Sequence, residues 1–283
     1  MGNEDAIRDA VQKELGDLYE VSVVKVVKNN GKEMTGITAK ENGMEIAPVV
    51  YFDDAADPEK DAVRMADIIR RSQEAPENIA AGIADYENAK HNVCFKLVNT
   101  DRNKGMLGDV PHREFLNLSA VYYVRLDWPG DGEASVKVTD SLMSNWGVTE
   151  EELWERAFEN TQRIYPADIE TLESVIGAFF GKEEITPTGQ GMIVVSNNAK
   201  KYGAGVIFYD GVLSELTERL GDRIFILPSS VHETIVLSDD GNLGAGALAE
   251  MVKSVNSTQV SEQEYLSDSV YRYEKGGEIT IAE

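Results

Sequence analysis

The sequence predicts an α+β fold of antiparallel sheets, built as a meander and hairpins, with helices packed on one face. Three observations lead to it. Between Met192 and Asn256 the apolar runs and polar breaks read strand, strand, helix, strand, strand, helix, an order that suits antiparallel pairing better than a doubly wound parallel sheet. Between Tyr19 and Tyr51, three strand-like runs are separated by Asn30-Gly31 and Asn42-Gly43, the dipeptide that accepts positive φ at both corners of a tight hairpin. The chain has 283 residues, and at about 100 to 200 residues per domain two modules are expected. The first spans residues 1–89 (helix, three-stranded meander, helix) and the second, residues 90–283, is a larger antiparallel α+β unit.

Taken in order, residues 3–15 place Ile7, Val11 and Leu15 on one helical face. Residues 19–28, 33–40 and 44–51 form the meander. Within it Thr35, Ile37 and Ala39 alternate with Gly36, Thr38 and Lys40, the pattern of a strand with one packed and one wet face. A helix over 58–74 begins at Pro58, where a missing N–H costs nothing, and has Val63, Ala66, Ile68 and Ile69 as its apolar side. Ala75 to Asn78 forms a break, and a short helix reaches about Tyr86. Residues 92–99 read as a strand, 101–105 as a polar loop, and 118–127 with 134–138 as a hairpin turned by Pro129 to Gly132. After a short helix at 140–146, Thr149 and Glu152 form a capping box, and Val148 is placed to staple onto Leu153. Residues 168–180 read as an amphipathic helix carrying Ile169, Leu172, Val175, Ile176 and Phe179. Residues 192–196 and 204–209 are then a strand pair. Asp210 caps the next helix, with Val212, Leu213, Leu216 and Leu220 on one side and Gly221 at its end. Residues 223–227 and 233–237 are the second strand pair, and 245–255 the final helix.

Bulk properties narrow the classes. A hydrophobic content of 42% with 27% charged residues is that of an ordinary globular protein, and no run of about 18 apolar residues offers a membrane span. Met1 to Asp5 lacks the basic and apolar regions of a secretory signal. The single cysteine, Cys94, permits no internal disulfide, so a reducing cytoplasm is expected. The formal net charge is -23, and the acidic excess runs through every third of the chain. Phosphate backbones and anionic lipid surfaces repel such a protein, so neither nucleic acid nor membrane is an expected partner. The same excess describes a solvated acidic surface and an acidic mimic of DNA.

Few motifs carry chemistry. Asp53-Asp54-Ala55-Ala56-Asp57 has the spacing of the magnesium motif of isoprenoid synthases, but it lies between a strand and Pro58 and reads better as a cap. Asp239-Asp240-Gly241-Asn242 lacks the later bidentate glutamate of a calcium loop. No glycine-rich loop ends in Lys-Ser or Lys-Thr, and Gly203 with Gly205 is too short for a dinucleotide fingerprint, so no cofactor and no metal are implied. His91 has no neighbouring partner in sequence. His112 stands beside Glu114, and His232 beside Glu233 and two residues from Ser230, which makes these five the catalytic candidates, as His and Glu ligands to one metal, a base with its orienting acid, or a crude nucleophile and base. Arg113 and Ser229 join them as ligand-binding candidates. Pro111 and Pro228 set the paths of both segments, and the expectation is that the two converge on one polar cleft. The competing reading makes both histidines hydrogen-bonded residues at loop-to-strand junctions.

The succession Lys28-Asn29-Asn30-Gly31, Pro111-His112-Arg113-Glu114-Phe115-Leu116, Asn145-Trp146-Gly147-Val148-Thr149, Leu227-Pro228-Ser229-Ser230-Val231-His232-Glu233 and Leu266-Ser267-Asp268-Ser269-Val270-Tyr271 resembles a large family of uncharacterised proteins from anaerobic gut bacteria. The resemblance covers nearly the whole chain and implies no activity. The family pattern has tyrosines where this chain has Asp53 and Asp54, which argues further against a metal there. The reading is therefore a cytoplasmic, non-catalytic binding or regulatory protein, with a protein as its possible partner. The alternatives are a hydrolase-like or metal-dependent enzyme with a His/Glu cleft, and an acidic DNA-mimic inhibitor of a DNA-binding enzyme.

Overall fold

The structure is a computed structural model that describes residues 2–41, 48–53, 56–72, 79–126, 134–175 and 191–282. The expected turns at Asn42-Gly43 and Pro129 to Gly132, the break at residues 75–78 and the helical residues 176–180 lie outside the described residues. The described residues form three sheets, each antiparallel, and the class is α+β.

The chain divides into two compact units, the first of which comprises Met1–Lys90 and Val124–Val136. Its elements are α1 (Asn3–Leu15), β1 (Tyr19–Val27), β2 (Glu33–Glu41), β3 (Val49–Phe52), α2 (Pro58–Ser72), α3 (Ile79–Ala84) and α4 (Tyr86–Ala89). The strands pair in the order β1-β2-β3. Asn30 and Gly31 take φ of 58° and 74°, as their sequence demands, and Lys28 N–H closes the connection onto Lys32 O at 2.8 Å. Ile7, Val11 and Leu15 of α1 pack with Val21, Ile37, Ala39 and Val50 of the sheet and with Ala62, Met65, Ala66 and Ile69 of α2. The apolar stripe of α2 thus follows 62, 65, 66 and 69, and Val63 is turned outward at 55% exposure.

The second unit comprises His91–Tyr123 and Lys137–Glu283. It opens with β4 (Val93–Asn99), α5 (Lys104–Leu107), β5 (His112–Phe115) and β6 (Leu118–Leu126), in a sheet of order β4-β6-β5; β7 (Ala134–Lys137) follows in the chain, all but its last residue within the first unit. The stretch expected as a polar loop is helical instead. Asn99 Oδ1 accepts the Arg102 N–H at 2.9 Å and the Asn103 amide returns to Asn99 O at 2.8 Å, which winds the chain so that Leu107 packs with Val98, Val110 and Val121. After α6 (Asp140–Trp146), α7 (Glu150–Ile164) starts at the predicted capping box, with Thr149 and Glu152 exchanging both hydrogen bonds. Asn160 and Thr161 then bind the backbone of β4 at Val93 O (2.9 Å) and Phe95 N (3.0 Å), locking helix to sheet.

The larger sheet contains β8 (Ala167–Thr171), β9 (Ile193–Asn197), β10 (Arg223–Leu227), β11 (Thr234–Ser238), β12 (Tyr271–Glu274) and β13 (Thr280–Ile281), in the order β13-β12-β10-β11-β9-β8. Its helices are α8 (Val212–Leu220) and α9 (Ala245–Gln259). Three local expectations change here. Residues 168–171 are strand, not helix: Asp168, Ile169 and Glu170 pair with Ser196, Val195 and Val194, and the two acids grip Lys200 at 2.6 and 2.9 Å. Residues 203–208 are a 3-10 helix, not a strand. Gly203 and Gly205 let the backbone press so close that an added Cβ would lie 2.4 Å from Ser196 Oγ and 2.8 Å from Phe95 Cε2. The cap of α8 is Gly211 at φ 79°, one residue after Asp210.

Alternation along β10 and β11 sorts the sheet's two faces. Phe225, Leu227 and Leu237 pack with Ala245, Leu248 and Val252 of α9. Ile226, Thr234 and Val236 point the other way, joined there by Tyr271, which stands opposite Ile226 in the register.

Candidate functional site

In β5, alternation sends His112 and Glu114 to one face and Arg113 and Phe115 to the other. The His112 ring stays with its own segment, Nδ1 lying 3.0 Å from Val110 O, and Glu114 is exposed. Arg113 is bound by Glu150 through Nε (3.2 Å) and Nη2 (2.9 Å), lies beside Glu151, and stands 5.0 Å from the Trp154 ring. The hydrogen bonds that it donates to Glu150 push the guanidinium pKa further above its ordinary value. Burial, then a hydrogen bond to the same Glu150, pushes the Tyr122 hydroxyl well above the phenol range, so it stays a donor.

The second segment lies against residues 264–266. Val231 N–H donates to Glu264 O at 2.8 Å, Leu266 N–H to Ser229 O at 3.0 Å, and Ser230 forms a bridge with Tyr265. Ser230 Oγ accepts the backbone N–H of His232 at 3.1 Å rather than meeting its imidazole. The Tyr202 N–H donates to His232 Nδ1 at 3.2 Å, so the neutral ring carries its proton on Nε2, which faces Glu264 at 3.5 Å. The ring stacks on Tyr202 with centroids 5.8 Å apart, and Glu233 is exposed. This arrangement spends the His232 lone pair on a backbone donor. Among the described residues no three His, Cys, Asp or Glu side chains are grouped to hold a metal ion.

Both segments meet a common feature through their apolar members. A cavity of about 340 Å³ lies inside the second unit, on the face of the larger sheet away from α9. Leu97 of β4, Phe115 of β5 and Leu118 of β6 wall one side, and Ile226 and Pro228 the other. Ile207 of the 3-10 helix and Leu213 of α8 also line it, as do Glu278 and its neighbours in the β12–β13 turn. None of the seven polar candidates lines it. Phe115 is in contact with two further rings in tilted arrangements, 4.7 Å from Phe208 and 5.4 Å from Trp154, which stiffen that wall.

The polar groups at the wall are few. Tyr271 donates its hydroxyl to Asn117, and burial raises its pKa above the phenol range. The Tyr273 hydroxyl accepts the Gly276 N–H at 3.2 Å. Thr234 is only 1% exposed and its hydroxyl has no hydrogen-bond partner. Sequence reasoning passed over Thr234; its one trace was a hydroxyl residue opening an otherwise apolar run, Ile235-Val236-Leu237. A volume of this size falls at the lower end of small-molecule sites, which are mostly apolar with a few placed polar groups.

No curated protein and no solved structure matches the chain. A family model matches residues 4–275, nearly its whole length.

Proposed function

The chain belongs to that family, DUF5688, a family of unknown function, and from this premise we propose a non-catalytic binding protein whose site is the apolar cavity of the second unit. One observation carries the reading: about 340 Å³ of space walled by aliphatic and aromatic side chains from both sheets of the unit. Apolar space of this kind favours apolar solutes, since removing their surface from water is worth about 25 cal/mol per Å². His112 and His232 support the same reading, each ring being engaged with a backbone group. Cys94, the chain's single cysteine, is buried and in no disulfide, which fits a reducing cytoplasm. Among the described residues no helix is long and apolar enough to cross a membrane.

The test uses N-phenyl-1-naphthylamine, a neutral probe whose fluorescence rises on leaving water. The full chain should bind it saturably. Leu213→Trp, which fills the cavity from a half-buried position on α8, should abolish the signal while circular dichroism stays unchanged. Equal binding by the wild type and a folded Leu213→Trp would remove the cavity from the proposal.

A further inference from the structure

Independently of the cavity, we infer that the outer edge of β1 in the first unit is an interaction surface, and that it pairs antiparallel with β1 of a second copy of this chain. In the order β1-β2-β3, β1 is a terminal strand of nine residues. Lys28 N–H bonds Lys32 O, so the ladder takes every second residue back from Lys28, and Val23, Lys25 and Val27 turn their N–H and C=O groups away from β2. Gln12 marks the same edge. Its side chain accepts the Val21 N–H at 3.1 Å and donates to Tyr19 O at 2.9 Å, standing where a neighbouring strand would. Past Val21 that cover ends: among the described residues no strand adjoins the edge, and no group bonds the outward backbone of Val23, Lys25 or Val27. Such an edge is a template for an extended chain, whose N–H and C=O groups repeat at the same spacing.

The charges along the strand select the partner and its direction. Residues 21–32 hold Lys25, Lys28 and Lys32 and no acid, in a chain with 50 acids against 27 bases, while Asp17 and Glu20 stand exposed just before them. The strand is therefore acidic where it starts and basic where it ends. Two copies run antiparallel set the acidic start of each against the basic end of the other, and two run parallel would set like against like. With the two-fold axis at Val24, Val23 faces Lys25 across the interface in a hydrogen-bonded pair, Val24 faces its own copy, and Glu20 faces Lys28 at both ends. Glu20 and Lys28 share the face away from the helices, opposite to Val21, so their side chains can meet. Lys25, the charge within the edge itself, is on the helix side and paired with Glu33 at 3.4 Å, which leaves the edge open. A symmetric pairing uses each edge once and closes at two copies. One strand pair covers less than the roughly 1,200 Å² at which stable interfaces begin, so the dimer should be weak.

Sedimentation velocity of the full chain at low salt, from micromolar to near-millimolar concentration, should show a monomer–dimer equilibrium. Glu20→Lys and Lys28→Glu each set like charges opposite at both ends, and each should raise the dissociation constant about tenfold. The double variant Glu20→Lys/Lys28→Glu restores both pairs with their signs exchanged and should return the constant to its wild-type value, a rescue expected only if this strand pairs antiparallel with itself. Lys25→Pro removes an outward N–H that β2 does not use, a change edge strands tolerate, and should give a chain that is folded by circular dichroism and monomeric. If Lys25→Pro does not fold, the charge variants decide by themselves. A wild type that stays monomeric over the whole range overturns the inference. So does a dimer that ignores the single charge changes, is not rescued by the double one, or survives in a folded Lys25→Pro.

Discussion

Arg113 shows how a single residue's role depends on what the fold places around it. In sequence it is a cation in a polar segment, suited to an anionic ligand. In the structure its guanidinium forms a bidentate pair with Glu150 and covers Trp154, and Tyr122 donates to the same carboxylate. Arg113→Met keeps apolar contact with Trp154 but strands Glu150, which is 31% exposed, beside a single hydroxyl donor. Urea unfolding should show a loss of about 1 to 2 kcal/mol, less than for a fully buried charge pair because water reaches this one. An unchanged midpoint would mean that the pair contributes nothing to stability. The histidines obey the same logic: a neighbouring glutamate in sequence does not become a partner in space, since Glu114 and Glu233 are both exposed and His232 faces Glu264 instead.

At the scale of the element, α7 is the case where sequence and structure agree most closely. Thr149 accepts the Glu152 N–H at 3.3 Å, and the Glu152 carboxylate accepts the Thr149 N–H at 2.8 Å and its hydroxyl at 3.0 Å. Thr149→Ala should cost about 1 kcal/mol, read as a lower melting temperature. The bonds from Thr149, backbone first, hold the Glu152 pKa below its ordinary value in the folded protein. Its contribution is therefore present above the unfolded pKa and is lost as pH falls through the folded one. Wild type should be more stable than Glu152→Gln at pH 7, and the gap should close toward pH 3. A gap independent of pH would show that the carboxylate charge has no part in the cap. By contrast, residues 168–171 and 203–208 follow their neighbours and not their own pattern. The first opens a stretch in which Ile169, Leu172, Val175 and Ile176 have helical spacing, yet its backbone groups find partners on β9. The second has strand-forming residues, yet Gly203 brings its backbone against Ser196 and His232, where no extended strand would seat.

The whole molecule is governed by its charge. With 27 bases against 50 acids, the chain carries far more repulsion toward phosphate than its scattered lysines and arginines can offset. A labelled DNA duplex titrated with the protein at about 50 mM salt should show no saturable change in anisotropy. Saturable binding that weakens steeply with salt would reveal a basic surface that the composition conceals.

What the sequence determined by itself is whatever local physics writes into short spacings. The period of Ile7, Val11 and Leu15, the reciprocal cap of Thr149 and Glu152, the positive φ of Asn30 and Gly31, and the strand runs of β10 and β11 are all of this kind. The antiparallel α+β class follows from their order along the chain. The tertiary structure alone decided the site. Its wall draws on residues from Leu97 to Ile279, and they become neighbours only because β12 crosses to β10 and the 3-10 segment folds over β9. Thr234 is one hydroxyl residue among many in the sequence, and only the register sets it in that wall.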